Sequence, residues 1–118
     1  MNKNSILEIA VKALDSKLAQ DIEVIEINNL TVLADYFIIA SGSSTTQVRA
    51  LADEVEFKLK ENDIPPQRIE GYTSCNWILL DYGSVVVHVF LNETRDFYSL
   101  EKLWADGKKI DVSKFISA

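Results

Sequence analysis

Cys75 and His88 are the only cysteine and the only histidine among 118 residues. A thiol beside an imidazole is the pairing from which a cysteine nucleophile and its base are made. The surroundings argue against that use. His88 sits in the middle of Val85-Val86-Val87-His88-Val89-Phe90, the setting of a structural histidine inside a strand, and no oxyanion-hole motif accompanies it. One cysteine and one histidine would also need carboxylates to complete a four-ligand zinc site. No catalytic residue, no metal and no cofactor is expected.

A second candidate is Ser41-Gly42-Ser43-Ser44, between an apolar run and a helical one. Phosphate-binding loops sit at such junctions because the free N–H groups of a helix start attract anions. The lysine of a P-loop is missing, and so is the glycine spacing of a dinucleotide site. Gly42-Ser43 followed by Asp53, Glu54 and Glu56 is also similar to nucleotidyltransferases, which hold metal ions on paired acids. In those enzymes the acids lie on a strand. Here they fall within a predicted helix and splay around its axis, which makes a capped strand-to-helix junction the expected reading. A nucleotide-binding or nucleotidyltransferase-like enzyme is the alternative.

The elements that would position these residues can be read from periodicity. Ser5-x-x-Glu8 resembles a capping box, and Ile6, Leu7, Ile9, Ala10, Ala13, Leu14 and Leu18 form a broad apolar stripe, which predicts a helix over residues 5–19. Residues 21–27 are β-branched and read as a strand, with a turn at Asn28-Asn29. Residues 35–41 are apolar on both faces, the mark of a central strand. Ser44-x-x-Gln47 opens a second helix carrying Val48, Leu51, Ala52, Val55 and Leu59, with Phe57 on its opposite side. Pro65-Pro66 ends that region, and residues 68–71 form a short strand. Residues 76–90 then read as a hairpin, and residues 93–98 and 100–104 as short helices. Arg95, Phe97, Tyr98 and Trp104 are expected to pack those helices on the sheet.

The order indicates an α/β (α+β-like) single domain over residues 1–118, with one mixed sheet of about five strands and flanking helices. Its core should span residues 5–104, with residues 105–118 a C-terminal tail whose last few residues are loosely held. The hairpin poses a question. Trp77, Leu79 and Asp81 share one face while Ile78, Leu80 and Tyr82 share the other, so neither face is polar. One face must cover the core, and the other must meet a second layer or a partner. Ile78 and the row Val85, Val87, Val89 suit the core. Trp77 suits either core or interface. Asp81 suits either a turn cap or an ionic contact.

Bulk properties narrow the class. The net charge of −6 argues against direct DNA binding and against much RNA contact, but suits a basic protein partner. A lone cysteine excludes an intrachain disulfide, and apolar runs stop well short of the ~20 residues of a membrane span. A cytoplasmic protein is the expectation.

Four segments taken together carry a family resemblance: Asp35-Tyr36-Phe37-Ile38-Ile39-Ala40-Ser41-Gly42, Glu70-Gly71-Tyr72, the hairpin from Trp77 to Phe90, and Arg95-x-Phe97-Tyr98-x-Leu100-Glu101-x-Leu103-Trp104. In order and spacing, over residues 5–104, the chain resembles the ribosomal silencing factor family, also called Iojap-like. The resemblance implies a fold similar to nucleotidyltransferases without their catalytic acids, in a bacterial cytoplasmic protein that is not an enzyme. It further implies docking on the large ribosomal subunit through large-subunit ribosomal protein fourteen. That would block joining of the small subunit and silence translation under nutrient limitation. The docking surface it implies is the hairpin, with Trp77, Leu80, Asp81 and Tyr82 central and Glu70 and Tyr72 beside it. Trp77 and Tyr82 fall on opposite faces of a regular strand, so a twist or bulge near Gly83 would be needed to join them. Homodimerisation through the hairpin or Phe57 is a competing use of the same surfaces.

Overall fold

A computed structural model describes residues 3–116. Its elements are α1 (Lys3–Ser16), β1 (Gln20–Glu26), β2 (Tyr36–Gly42), α2 (Thr45–Glu61), β3 (Arg68–Glu70), β4 (Trp77–Asp81), β5 (Val85–Leu91), α3 (Asn92–Tyr98), α4 (Leu100–Leu103) and β6 (Lys108–Ile110), followed by a 3₁₀ turn (Val112–Lys114). They form the mixed α/β domain expected, built on one open sheet in the order β3-β4-β5-β2-β1-β6. Only β2 and β5 run parallel. These two central strands are the apolar runs, and they are buried along nearly their whole length because both faces of the sheet are covered there.

α1 and α2 lie together on one face. Ile6, Leu7, Ala10, Val11 and Leu14 of α1 and Val48, Leu51, Ala52, Val55 and Leu59 of α2 pack there on Val24, Ile38, Ala40, Ile78, Leu80, Val85, Val87 and Val89. The other face carries a smaller cluster of Ile25, Ile27, Phe37, Ile39, Val86, Phe90 and Leu100, only partly roofed by α3 and α4. Alternation along each strand makes the division: odd positions of β4 go to one side, even positions to the other.

Three expectations are corrected. α1 begins at Lys3, so Ser5 lies inside the first turn and does not cap it. Leu18 does not extend the apolar stripe, because the helix has ended and Leu18 takes φ 63 with its side chain 78% exposed. The sheet has six strands, since the supposed tail supplies β6. Val24 pairs with Ile110 and Glu26 with Lys108, while Lys109 Nζ reaches Glu23 at 3.0 Å. The tail is polar because it forms an edge, where charged side chains stay in water.

Candidate functional site

The strand-to-helix junction is a reciprocal cap. Ser44 Oγ accepts from the Gln47 N–H at 3.1 Å, and Gln47 Oε1 accepts from the Ser43 N–H at 2.7 Å. Two of the junction's N–H groups, those of Ser43 and Gln47, are thus engaged within the chain. Asp53 accepts the Tyr72 hydroxyl at 2.7 Å, and no group of three or more potential metal ligands occurs among the described residues. Cys75 belongs to the core on the α1/α2 side, its thiol donating to the Tyr72 carbonyl at 3.0 Å. His88 contacts Phe37, Trp77 and Phe90 on the other face. The sheet separates thiol from imidazole.

The hairpin is where an interface can form. The segment leading into β4 is tied to α2 through Tyr72, whose ring also lies 5.1 Å beneath the Arg49 guanidinium. Gly71 takes φ 79, and a Cβ there would collide with the Trp77 carbonyl, so only glycine permits this close approach. From this anchored turn Trp77 emerges on the face away from α1 and α2. Its indole stacks on Phe90 with centroids 4.7 Å apart and leans on Tyr98 at 5.1 Å. The indole N–H donates to His88 Nδ1 at 3.1 Å. That bond puts the imidazole proton on Nε2, and burial pushes the His88 pKa down to about 4, so the ring is neutral at pH 7.

Trp77 is half-buried and stands between two open grooves. One, of about 460 Å³, is lined by Ser74, Asn76, Trp77, Glu93, Thr94, Phe97 and Tyr98. The other, of about 470 Å³, is lined by Leu33, Phe37, Gln67, Arg68, Leu79, Asp81, Val86 and His88. Phe97 is 80% exposed, so its ring extends the aromatic surface beside Tyr98 and does not pack the helices on the sheet as expected. Arg95 does pack them: it is buried, pairs with Glu23 at 3.0 Å and Glu101 at 3.2 Å, and donates to Ser41 Oγ.

The six residues implied as a docking surface divide three ways. Trp77, Asp81 and Glu70 share the open face, because Arg68 and Glu70 pair in register with Asp81 and Leu79. Asp81 caps its turn by accepting from the Gly83 N–H at 2.8 Å and also faces Arg68 at 3.3 Å; Arg68 in turn holds Glu70 at 3.0 Å. Tyr72 lies toward α2. Leu80 and Tyr82 are buried on the α1/α2 side, at 1% and 6% exposure, and present no surface to a partner. No bulge turns Tyr82 round, because its ring is needed in the core beside Ile78 and Leu80. Its buried hydroxyl has its pKa raised, first by desolvation and then by the Glu56 charge. Reading the sequence missed Leu79, His88, Phe97 and Tyr98; the Trp77-x-Leu79 alternation was the one signal that could have found Leu79.

The comparisons with known proteins agree with this architecture. The family model described as "Ribosomal silencing factor during starvation" matches residues 1–118. The chain belongs to that family. It is 44% identical over 112 residues to the Bacillus subtilis protein named ribosomal silencing factor RsfS, covering 95% of each chain. A crystal structure of a Chromobacterium violaceum protein superposes with a TM-score of 0.87 at 40% identity, covering 94% of this chain and 92% of that one. A second, from Bacillus halodurans, gives 0.82 at 37% identity over 92% and 99%.

Proposed function

We propose that this protein is a non-catalytic translational repressor that docks on the large ribosomal subunit through large-subunit ribosomal protein fourteen. By occupying that position it keeps the small subunit from joining when nutrients are scarce. The observation that carries the docking is the open aromatic face. Trp77, Phe97 and Tyr98 form a contiguous, partly exposed surface, and Glu70 and Asp81 lie farther along the same face of the sheet. Large, partly polar aromatics are the residue types that anchor interfaces, and the acids at the edge suit a basic protein. Leu80 and Tyr82 contribute from beneath by holding β4 in place.

Cosedimentation tests the reading: the protein should travel with free large subunits and not with assembled ribosomes. Trp77→Ala, checked by circular dichroism to be folded, should weaken that association by about 2 kcal/mol, roughly 30-fold. A folded Trp77→Ala variant that binds as tightly as the parent would remove Trp77 from the site.

A further inference from the structure

The one histidine of this chain occupies a position where a hydrophobic residue would serve packing better. His88 is 4% exposed in a strand otherwise made of valines and phenylalanine, and its Nε2 is buried without a partner. An unmatched buried N–H is a cost that valine or phenylalanine would not carry. What the ring does offer is Nδ1, placed 3.1 Å from the Trp77 indole nitrogen.

We infer that His88 is the positioning residue for Trp77, holding the indole in a single pose on the open face. The register produces the contact. Trp77 pairs with Phe90 and Leu79 with His88, so Trp77 and His88 are diagonal neighbours on one face of an antiparallel pair, within reach for long side chains. The imidazole is itself held, edge-on to Phe37 at 4.6 Å and nearly parallel to Phe90 at 6.3 Å, so the acceptor is fixed before Trp77 meets it. Stacking on Phe90, with Tyr98 tilted against it, gives the indole a plane but does not choose between the two ends of the ring, because the torsion beyond Cβ is soft. The hydrogen bond makes that choice. It turns the N–H inward and leaves an apolar edge outward. A partner then meets an anchor already in its bound orientation and does not have to immobilise it. The consequence for binding rests on the docking function proposed above; the pose itself belongs to the free protein.

The test uses the full-length, nitrogen-15-labelled protein in solution, with the two indole signals told apart by Trp104→Phe. Wild type should show a scalar coupling across the hydrogen bond from Trp77 Nε1–H to His88 Nδ1, and slow exchange of that indole proton. Absence of the coupling overturns the inference without any variant having to fold. Two substitutions then separate positioning from packing. His88→Phe keeps a ring and loses the acceptor, whereas His88→Asn loses the ring but keeps an acceptor near Nδ1. Positioning predicts indole exchange about fivefold or more faster in His88→Phe, and a similar loss of affinity for purified large subunits, with His88→Asn closer to wild type in both. The reverse order means that His88 only fills space. In a Trp77→Phe background, His88→Phe should cost no further affinity, and an additive loss counts against the inference. If the coupling is present while wild type fails to bind large subunits, the docking function falls and the His88–Trp77 pose stands.

Discussion

Ser41, His88 and Arg95 are the buried polar side chains of the described fold, and two of them answer each other across the sheet end. Arg95 gives its protons to Ser41, Glu23, Glu101 and the Gln20 carbonyl, so its charge is fully matched. His88 is handled by staying neutral. Its pKa near 4 lies below the ordinary 6.5, with desolvation as the cause. The sign for stability follows. Above pH 6.5 both folded and unfolded chains hold a neutral imidazole and the fold has its full stability. As pH falls toward 4 the unfolded chain takes up a proton that the folded chain refuses, so stability is lost across that window. The loss should approach about 3 kcal/mol. Urea denaturation from pH 7 to pH 4 measures it. Subtracting the same curve for His88→Phe leaves the part that belongs to the imidazole.

At the scale of elements, the hairpin and the last strand are built on opposite logic. β4 and β5 are held by alternation: Ile78 and Leu80 must face α2, which leaves Trp77, Leu79 and Asp81 no choice but the other side. β6 is short and charged, and it belongs to the sheet because of what it covers. It pairs with Val24, Ile25 and Glu26 and closes the β1 edge. The 3₁₀ turn after it places Phe115 and Ile116 beside the larger core cluster. Removing residues 107–118 should therefore lower the urea midpoint and open β1 as an unpaired edge. Light scattering should then show mass rising with concentration more steeply than for the full chain. An unchanged midpoint would mean that β6 adds nothing.

For the molecule as a whole, the two faces of the sheet divide the work: α1 and α2 seal one, and the other stays partly open around Trp77. The net charge of −6 acts at longer range. An acidic protein approaching a basic one is steered by attraction that salt screens. Stopped-flow association with large subunits should slow by about tenfold or more between low and near-molar salt, while dissociation changes less. An association rate indifferent to salt would leave the charge without a role in the encounter.

Much of this protein was legible in its sequence. Period-3.6 stripes placed both long helices, and continuous apolar runs bounded by turn residues placed the central strands and the hairpin, because burial of apolar side chains writes those patterns directly. The Ser44–Gln47 cap was readable for a similar reason: its partners lie within one turn of each other. What the sequence could not decide was ownership of faces. Tyr82 looked as fit for an interface as Trp77, and only the packing of α2 over β4 buried one and left the other open. The bond from Trp77 to His88 depends on the register of two strands, and β6 on an edge that exists only once β1 has paired with β2. Local pattern determines which elements form; contacts between residues distant in the chain determine which side of an element meets the world.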